Sequence, residues 1–458
     1  MKKISFLLTI ACFVVTGCKK EIHTEQAGEE LATTAAKKPN NPGFAENDMV
    51  MFWNEKTATV LGVGMPQPFR TRYWAIIQIA VHDALNNIKP KYERFVLHDR
   101  EQHADPDAAV ASAAYWAIKG LNRQGNFPID AWLTESLNTI PEGASKDSGI
   151  VLGKKAADAI IANRSNDGFT QVIIVSALPA NGTNPGEYRS TLTAINWVPT
   201  GNLSPVRNAP NWGIVMKPYI IESNAQFRPE APYAVNSAQY TSDYNEVKTK
   251  GARTGGLRTP DEEKIALFWS DNRPSNLWND MARKAIGNKK MDAWKTARLL
   301  ALLHVCLAES INSALNANYH FYFWRPETAI RLGGNDDNTL TDGDANWLPF
   351  LTETPTSVTP PVPGYPNGAA AYGGTAAEIL KLFFGTDETS VDLVSINSNP
   401  AVPASMQSMH YTSFSQAATE STLRNVYTGW DFRASSMVGE EMGRQIAAFV
   451  FTHAFREE

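Results

Sequence analysis

An all-α fold, a helical bundle joined by long irregular connecting segments, is what this 458-residue chain predicts. Three observations carry the prediction. Between residues 291 and 318, Leu299, Leu300, Leu302, Leu303, Leu307 and Ile311 recur at three- and four-residue steps, the period of a helix with one buried face. Thr259-Pro260-Asp261-Glu262-Glu263 is a helix start whose parts agree: a threonine cap, a proline at the first helical position, and acids at the positive end of the dipole. Only one short run, residues 171–175, reads as β, and no repeat of solenoid period is visible.

Taken in order, the chain opens with Lys2-Lys3 and an apolar run over residues 4–15, too short to span a bilayer and suited to a signal peptide. Val15-Thr16-Gly17-Cys18 then resembles a bacterial lipobox, in which the cysteine becomes the lipidated first residue. The expected organisation is a signal peptide and lipobox over 1–18, a polar disordered tether over 19–44, and one helical domain over 45–458. On this reading Cys18 anchors the protein in the cell envelope, with the membrane as partner. Cys306 is left without a disulfide partner and sits in the Leu-rich helix as a small core residue. A net charge of -5 and the lack of a basic stripe exclude nucleic acid, while 43% hydrophobic residues suffice for a sizeable core.

Within the domain, helices are expected over 49–57, 71–88, 108–121 (capped by Asp107), 129–137 and 149–162, the last closed by the turn Asn166-Asp167-Gly168. Residues 169–258 read as an irregular wrap or lid, or alternatively a small β subdomain. The helix opened by Thr259 runs to about residue 270, and the long helix over 291–318 leads to the corner Trp324-Arg325-Pro326. The loop 333–347 carries Asp336, Asp337, Asp342 and Asp344, but in a calcium-loop register Leu340 falls on a ligand position, so the loop reads as solvated. Helices over 367–384, 413–427 and 435–451 complete the chain.

Several stretches in fixed order then resemble the vanadium-dependent haloperoxidase family, relatives of the type 2 phosphatidic acid phosphatases. They are Tyr319-His320-Phe321-Tyr322-Phe323-Trp324-Arg325-Pro326-Glu327-Thr328-Ala329-Ile330, Tyr365-Pro366-Asn367-Gly368-Ala369, and Gly429-Trp430-Asp431-Phe432 leading into Gly443-Arg444-Gln445-Ile446-Ala447. The resemblance implies a haloperoxidase-like helical bundle with an oxyanion pocket at its heart, built from the signature helices over 291–451. It also implies a signature of a lysine seven residues before the arginine of Arg-Pro, then Pro-Ser-Gly-His, then an arginine six residues before a histidine. In that pattern Lys and two Arg neutralise phosphate or vanadate, and a helix start adds amide donors. One imidazole is the acid-base, the other a nucleophile or vanadium ligand.

Most of these positions differ here. Asn318 stands for the lysine, Asn367-Gly368-Ala369 for Ser-Gly-His, Asn425 for the second arginine and Asp431 for the last histidine. Arg325 and Gly368 are kept. Arg424 is adjacent to the arginine position, but a helical neighbour points about 100° away. His304, His320 and His410 match no functional position and are expected in core or surface roles. An ion pair at about 4 Å is worth on the order of 4 kcal/mol at an effective dielectric near 20, so losing two cations and gaining a carboxylate weakens oxyanion binding by several kcal/mol.

The expected ligand-binding set is therefore Asn318, Arg325, Asn367, Gly368, Ala369, Asn425 and Asp431, with no metal and no cofactor, and with Arg325 paired to Asp431. The main functional expectation is a lipid-anchored, catalytically impaired envelope protein acting in binding or scaffolding, its ligand a small oxyanion or polar molecule. The alternatives are an active vanadate-dependent haloperoxidase or acid phosphatase with non-standard pocket residues, and a sugar-binding module using the asparagines.

Overall fold

The structure, a computed structural model, describes residues 49–62, 65–169, 181–189, 212–271, 273–289, 291–334, 336–351, 359–395 and 402–458. The expected signal peptide with Cys18, the tether and the β-like run at 171–175 lie outside the described residues. The helices are α1 (Met49–Val60), α2 (Gln67–Ile88), α3 (Pro106–Gly120), α4 (Ile129–Asn138), α5 (Ala144–Asn163), α6 (Trp212–Val215), α7 (Ala238–Lys250), α8 (Pro260–Phe268), α9 (Pro274–Gly287), α10 (Ala293–Phe321), α11 (Pro326–Leu332), α12 (Gly368–Phe384), α13 (Phe414–Thr428) and α14 (Arg433–His453). An antiparallel ribbon of β1 (Glu388–Val394) and β2 (Ser408–Ser413) is the sheet among the described residues. The fold is all-α in class, as expected.

α10 is the central element. Its apolar positions, Leu299 to Leu303 and Leu307 included, are buried, as is Cys306. It packs against α2, α12 and α14. Trp53, Trp74 and Trp278 are fully buried in the same core, each side chain stabilising by roughly 1.5–3 kcal/mol or more through area removed from water. The buried His304 lies flat on Trp74, with ring centroids 4.2 Å apart, and burial pushes its pKa down to about 3. His320 and His410 are exposed, so the three histidines take core and surface roles.

α12 and α14 approach closely enough that glycine is required between them. A Cβ on Gly374 would stand 2.1 Å from the Glu440 carbonyl oxygen, and one on Gly443 2.2 Å from that of Ala371. This contact fixes the start of α12 relative to α14: the Asn367 amide donates to Ser435 O at 3.0 Å.

Several expectations are corrected. α3 is capped by Asp105, not Asp107: the Asp105 side chain accepts from Ala108 N, and Pro106 takes the first helical position. α5 begins at Ala144, ahead of residue 149. The stretch 169–258 is not irregular throughout, because α7 forms there behind the cap of Ser237. α9 and the ribbon were not expected. α9 buries Leu277, Trp278, Met281, Ala285 and Ile286 in the core, with polar residues beside them: Asn279 pairs with Asn54 of α1 and Arg283 donates to Met51 O. In the acidic loop Asp336 is buried rather than solvated, accepting from Asn338 N and the Thr341 hydroxyl. The Thr259 start is as read, a complete capping box with Glu262.

Candidate functional site: an arginine-carboxylate pocket

α10 ends at Tyr322, a left-handed residue at φ 52°, and the chain turns through Trp324, whose amide donates to Gly186 O at 2.9 Å. Arg325 follows in extended conformation as the residue before α11, with Pro326 fixing the first helical position. Its side chain is only 5% exposed. Nε donates to Val362 O at 2.7 Å, and Nη1 to Trp430 O and to Asp431 Oδ1, both at 2.9 Å. The two carbonyls come from the Pro-rich approach to α12 and from the turn after α13.

Asp431 is buried, and its second oxygen accepts from Asn367 Nδ2 at 2.6 Å. Asn367 is also the cap of α12: its Oδ1 accepts from Ala370 N at 2.7 Å. One asparagine thus ties the amide end of the helix to the carboxylate that holds Arg325. Burial raises the Asp431 carboxyl above its ordinary value, and the charge and hydrogen bond of Arg325, the bond from Asn367 and the charge of Arg424 oppose that rise.

The remaining expected residues gather around this pair. Asn318 Nδ2 donates to Pro366 O at 2.6 Å, tying α10 to the start of α12. Gly368 opens α12 close to α10; a Cβ there would lie 3.3 Å from Ile311 Cδ1 and 3.5 Å from Ala314 Cβ. Ala369, next in the helix, is half-buried and presents only a methyl group where the resembling pattern has an imidazole. Asn425 is buried, its amide donates to Thr422 O at 3.1 Å, and its Oδ1 carries no hydrogen bond. The amides of Asn318, Asn367 and Asn425 are thus engaged within the protein, which does not favour the sugar-binding alternative.

Arg424 is nearer than helical geometry suggested. Its guanidinium carbon lies 5.1 Å from the Trp430 ring centroid, and its charge is felt at Asp431. The sequence signal for it was present, an arginine one position from the pattern, and only the packing of Trp430 decides its use.

In electrostatic terms the pocket holds one committed cation and one carboxylate in the place of an anion. With the ion pair closed, the carboxylate has that place.

Comparison with known proteins agrees with this architecture. A family model described as the VCPO second helical-bundle domain matches residues 298–457. A vanadium chloroperoxidase from Curvularia inaequalis is 23% identical over 426 residues, 76% of this chain and 67% of that protein. Among solved structures, a bacterial vanadium-dependent iodoperoxidase is similar with a TM-score of 0.67 at 22% identity, covering 90% of this chain and 97% of the other. A holo-type bacterial vanadium-dependent chloroperoxidase is similar with a TM-score of 0.63 at 16% identity, covering 90% and 95%.

These relatives correct four expectations. All are named as peroxidases, so the impaired scaffold is set aside as the main reading. They are named for vanadium, so the expectation of no cofactor is set aside. The lipid-anchored envelope location, and the membrane as partner through Cys18, are also set aside. The similarity is to these peroxidases, and the described helix long and apolar enough to cross a bilayer, α10, is a core helix with 89% of its apolar window buried.

Proposed function

Taking the chain as a homologue of the vanadium-dependent haloperoxidases, we propose that it is an enzyme of their oxyanion chemistry, haloperoxidase or acid phosphatase, working from a non-standard pocket. The observation that carries this reading is the convergence of Arg325, the amide end of α12 and the buried carboxyl of Asp431 on one point.

Arg325 supplies the permanent charge, and the Nη1 donor now on Asp431 turns to the oxyanion. The start of α12 adds backbone amides and the positive end of its dipole. Asp431 holds a proton when the anion is bound: neutral, it no longer neutralises Arg325 and can itself donate a hydrogen bond to an oxyanion oxygen. Arg424 adds positive potential beside it. Vanadate, when bound, supplies the peroxide-activating centre of the relatives' chemistry. Asn318 and Asn367 fix the helix start against which the anion rests.

Anion binding is then linked to proton uptake at Asp431. Burial raises this carboxyl above its ordinary value, so proton uptake is easier than at a free aspartate and affinity rises as pH falls. The test is a vanadate titration followed by thermal shift at several pH values, with iodide and bromide oxidation by peroxide and hydrolysis of an aryl phosphate read in parallel. Stabilisation that grows toward acid pH, with turnover in either assay, is the expected result. Flat melting curves and no turnover at any pH would remove the proposal.

A further inference from the structure

A cavity lies away from Arg325, Asp431 and the start of α12. Its volume is about 380 Å³, and it is lined by residues 93–95 and 98, by Ile220 and by residues 453–456 and 458. This is the size of a site for a one- or two-ring molecule.

The walls are held from inside the bundle. Asp83 on α2, buried, accepts from the amides of Phe95, Val96 and Leu97 at 2.7, 2.8 and 3.0 Å. Glu309 on α10, also buried, accepts from Tyr219, Ile220 and Ile221 at 2.7, 2.6 and 3.2 Å through one oxygen, while its other oxygen has no partner. Two interior carboxylates are each spent on three consecutive amides of a surface segment, and the segments meet where the Phe95 and Tyr219 rings lie 6.2 Å apart. The third wall is fastened by Glu93 N to Arg456 O at 2.8 Å and by Arg298 Nε to Phe455 O at 2.7 Å. Burying a carboxylate is costly unless it is well bonded, so this arrangement makes three irregular segments into a rigid, pre-formed recess.

The lining is apolar below and charged above. Phe95 and Phe455 are stacked, with centroids 5.9 Å apart and planes 23° from parallel, and Ile220 and Ala454 complete the floor. Of the two arginines, Arg456 is committed to Glu93 through both Nε and Nη2. Arg94 is not: one bond from Nη2 to Glu458 spans 3.3 Å, and its Nε has no partner. An arginine with donors to spare beside a stacked aromatic floor matches a carboxylate on a planar apolar body.

The geometry points to a binding site for a small aryl carboxylate, its anionic end on Arg94 and its ring on Phe95 and Phe455. Glu458 is the group the ligand displaces. The site is separate from the oxyanion pocket, and its existence does not depend on the function proposed there.

The test uses the full chain and 4-fluorophenylacetate, followed by ¹⁹F line broadening and calorimetry. A dissociation constant of about 1 mM or tighter is expected for a ligand of this size. Arg94→Gln, a change at a partly exposed side chain, should weaken binding about tenfold or more. Glu458→Gln should leave affinity unchanged or improve it, and the uncharged 4-fluorophenylacetamide should bind at least about tenfold more weakly than the acid. Absence of binding at ten times the expected constant, binding that Arg94→Gln leaves unaltered, weakening by Glu458→Gln, or a loss that follows Arg325→Gln instead would each overturn the assignment.

Discussion

Arg325 Nη1 stands 2.9 Å from Asp431 Oδ1, with both side chains almost wholly removed from solvent. Where the resembling pattern has an arginine facing a bound anion, this chain has an arginine facing its own carboxylate. On the function proposed above, binding at that point is an exchange of one anion for another, and the properties of the site follow from what controls the exchange.

Replacing Arg325 by Gln leaves the Asp431 carboxylate buried without its counter-charge. Breaking a buried pair from one side costs about 3–5 kcal/mol at neutral pH. The carboxyl is already raised by burial and would rise further, so the loss is largest above its pKa and shrinks as acid neutralises it. Urea unfolding at pH 8 and pH 5 checks this: the gap between Arg325→Gln and the unmodified protein should narrow at pH 5.

Asp431→Asn removes the competing charge and keeps a carbonyl oxygen for Arg325. The guanidinium is then uncompensated, and the protein should lose stability by a few kcal/mol without ligand. Orthovanadate or phosphate should return much of that loss. The ligand-induced rise in Tm is therefore expected to be larger for Asp431→Asn than for the unmodified chain, and nearly independent of pH.

Glu309 gives a separate pH signature. Burial lifts its carboxyl to about 7 against an ordinary 4.5, although three amides favour the ionised form. A folded-state value above the unfolded one means stability fully present below about pH 4.5 and lost as pH rises through 7. The size is on the order of 3 kcal/mol. Glu309→Gln keeps the oxygen that accepts from Tyr219, Ile220 and Ile221 and cannot ionise. Relative to this variant, the unmodified protein should lose ground steadily between pH 4.5 and pH 8 in chemical denaturation.

Gly374→Ala would place a methyl carbon 2.1 Å from the Glu440 carbonyl oxygen, backbone that cannot turn aside. Overpacking of this kind costs roughly 1–3 kcal/mol or more. Because α14 also holds the start of α12 through Ser435, the same change should weaken oxyanion binding, measured by vanadate thermal shift.

How much of this was legible beforehand depended on what each element buries. α10 was read from its leucines and α8 from its cap, because local sequence and final role agree in both. The convergence of Arg325, Asn367, Gly368 and Asp431 was legible through the spacing of three short stretches. α9 was not read, although Leu277, Trp278, Met281, Ala282, Ala285 and Ile286 recur at helical steps, with the buried polar Asn276, Asn279 and Arg283 among them. α7 was hidden similarly, with Tyr240, Tyr244 and Val247 its buried residues in an otherwise polar sequence. The ribbon did alternate, Val391 and Leu393 inward against exposed neighbours, but over too few residues to stand out. Arg424 and the carbonyls of Val362 and Trp430 depend on packing between distant segments, for which no local pattern exists.

Asn367 has one carbonyl and one amide, and this chain uses both, the first on Ala370 and the second on Asp431. Its two duties make positions 367 and 431 hostage to each other. A serine at 367 could still cap the helix but would strand a carboxylate oxygen, and a histidine at 431 would leave the asparagine amide without its acceptor. Exchanging the pair for serine and histidine one position at a time would therefore pass through a penalised intermediate, so the present pair is a ratchet that favours its own persistence.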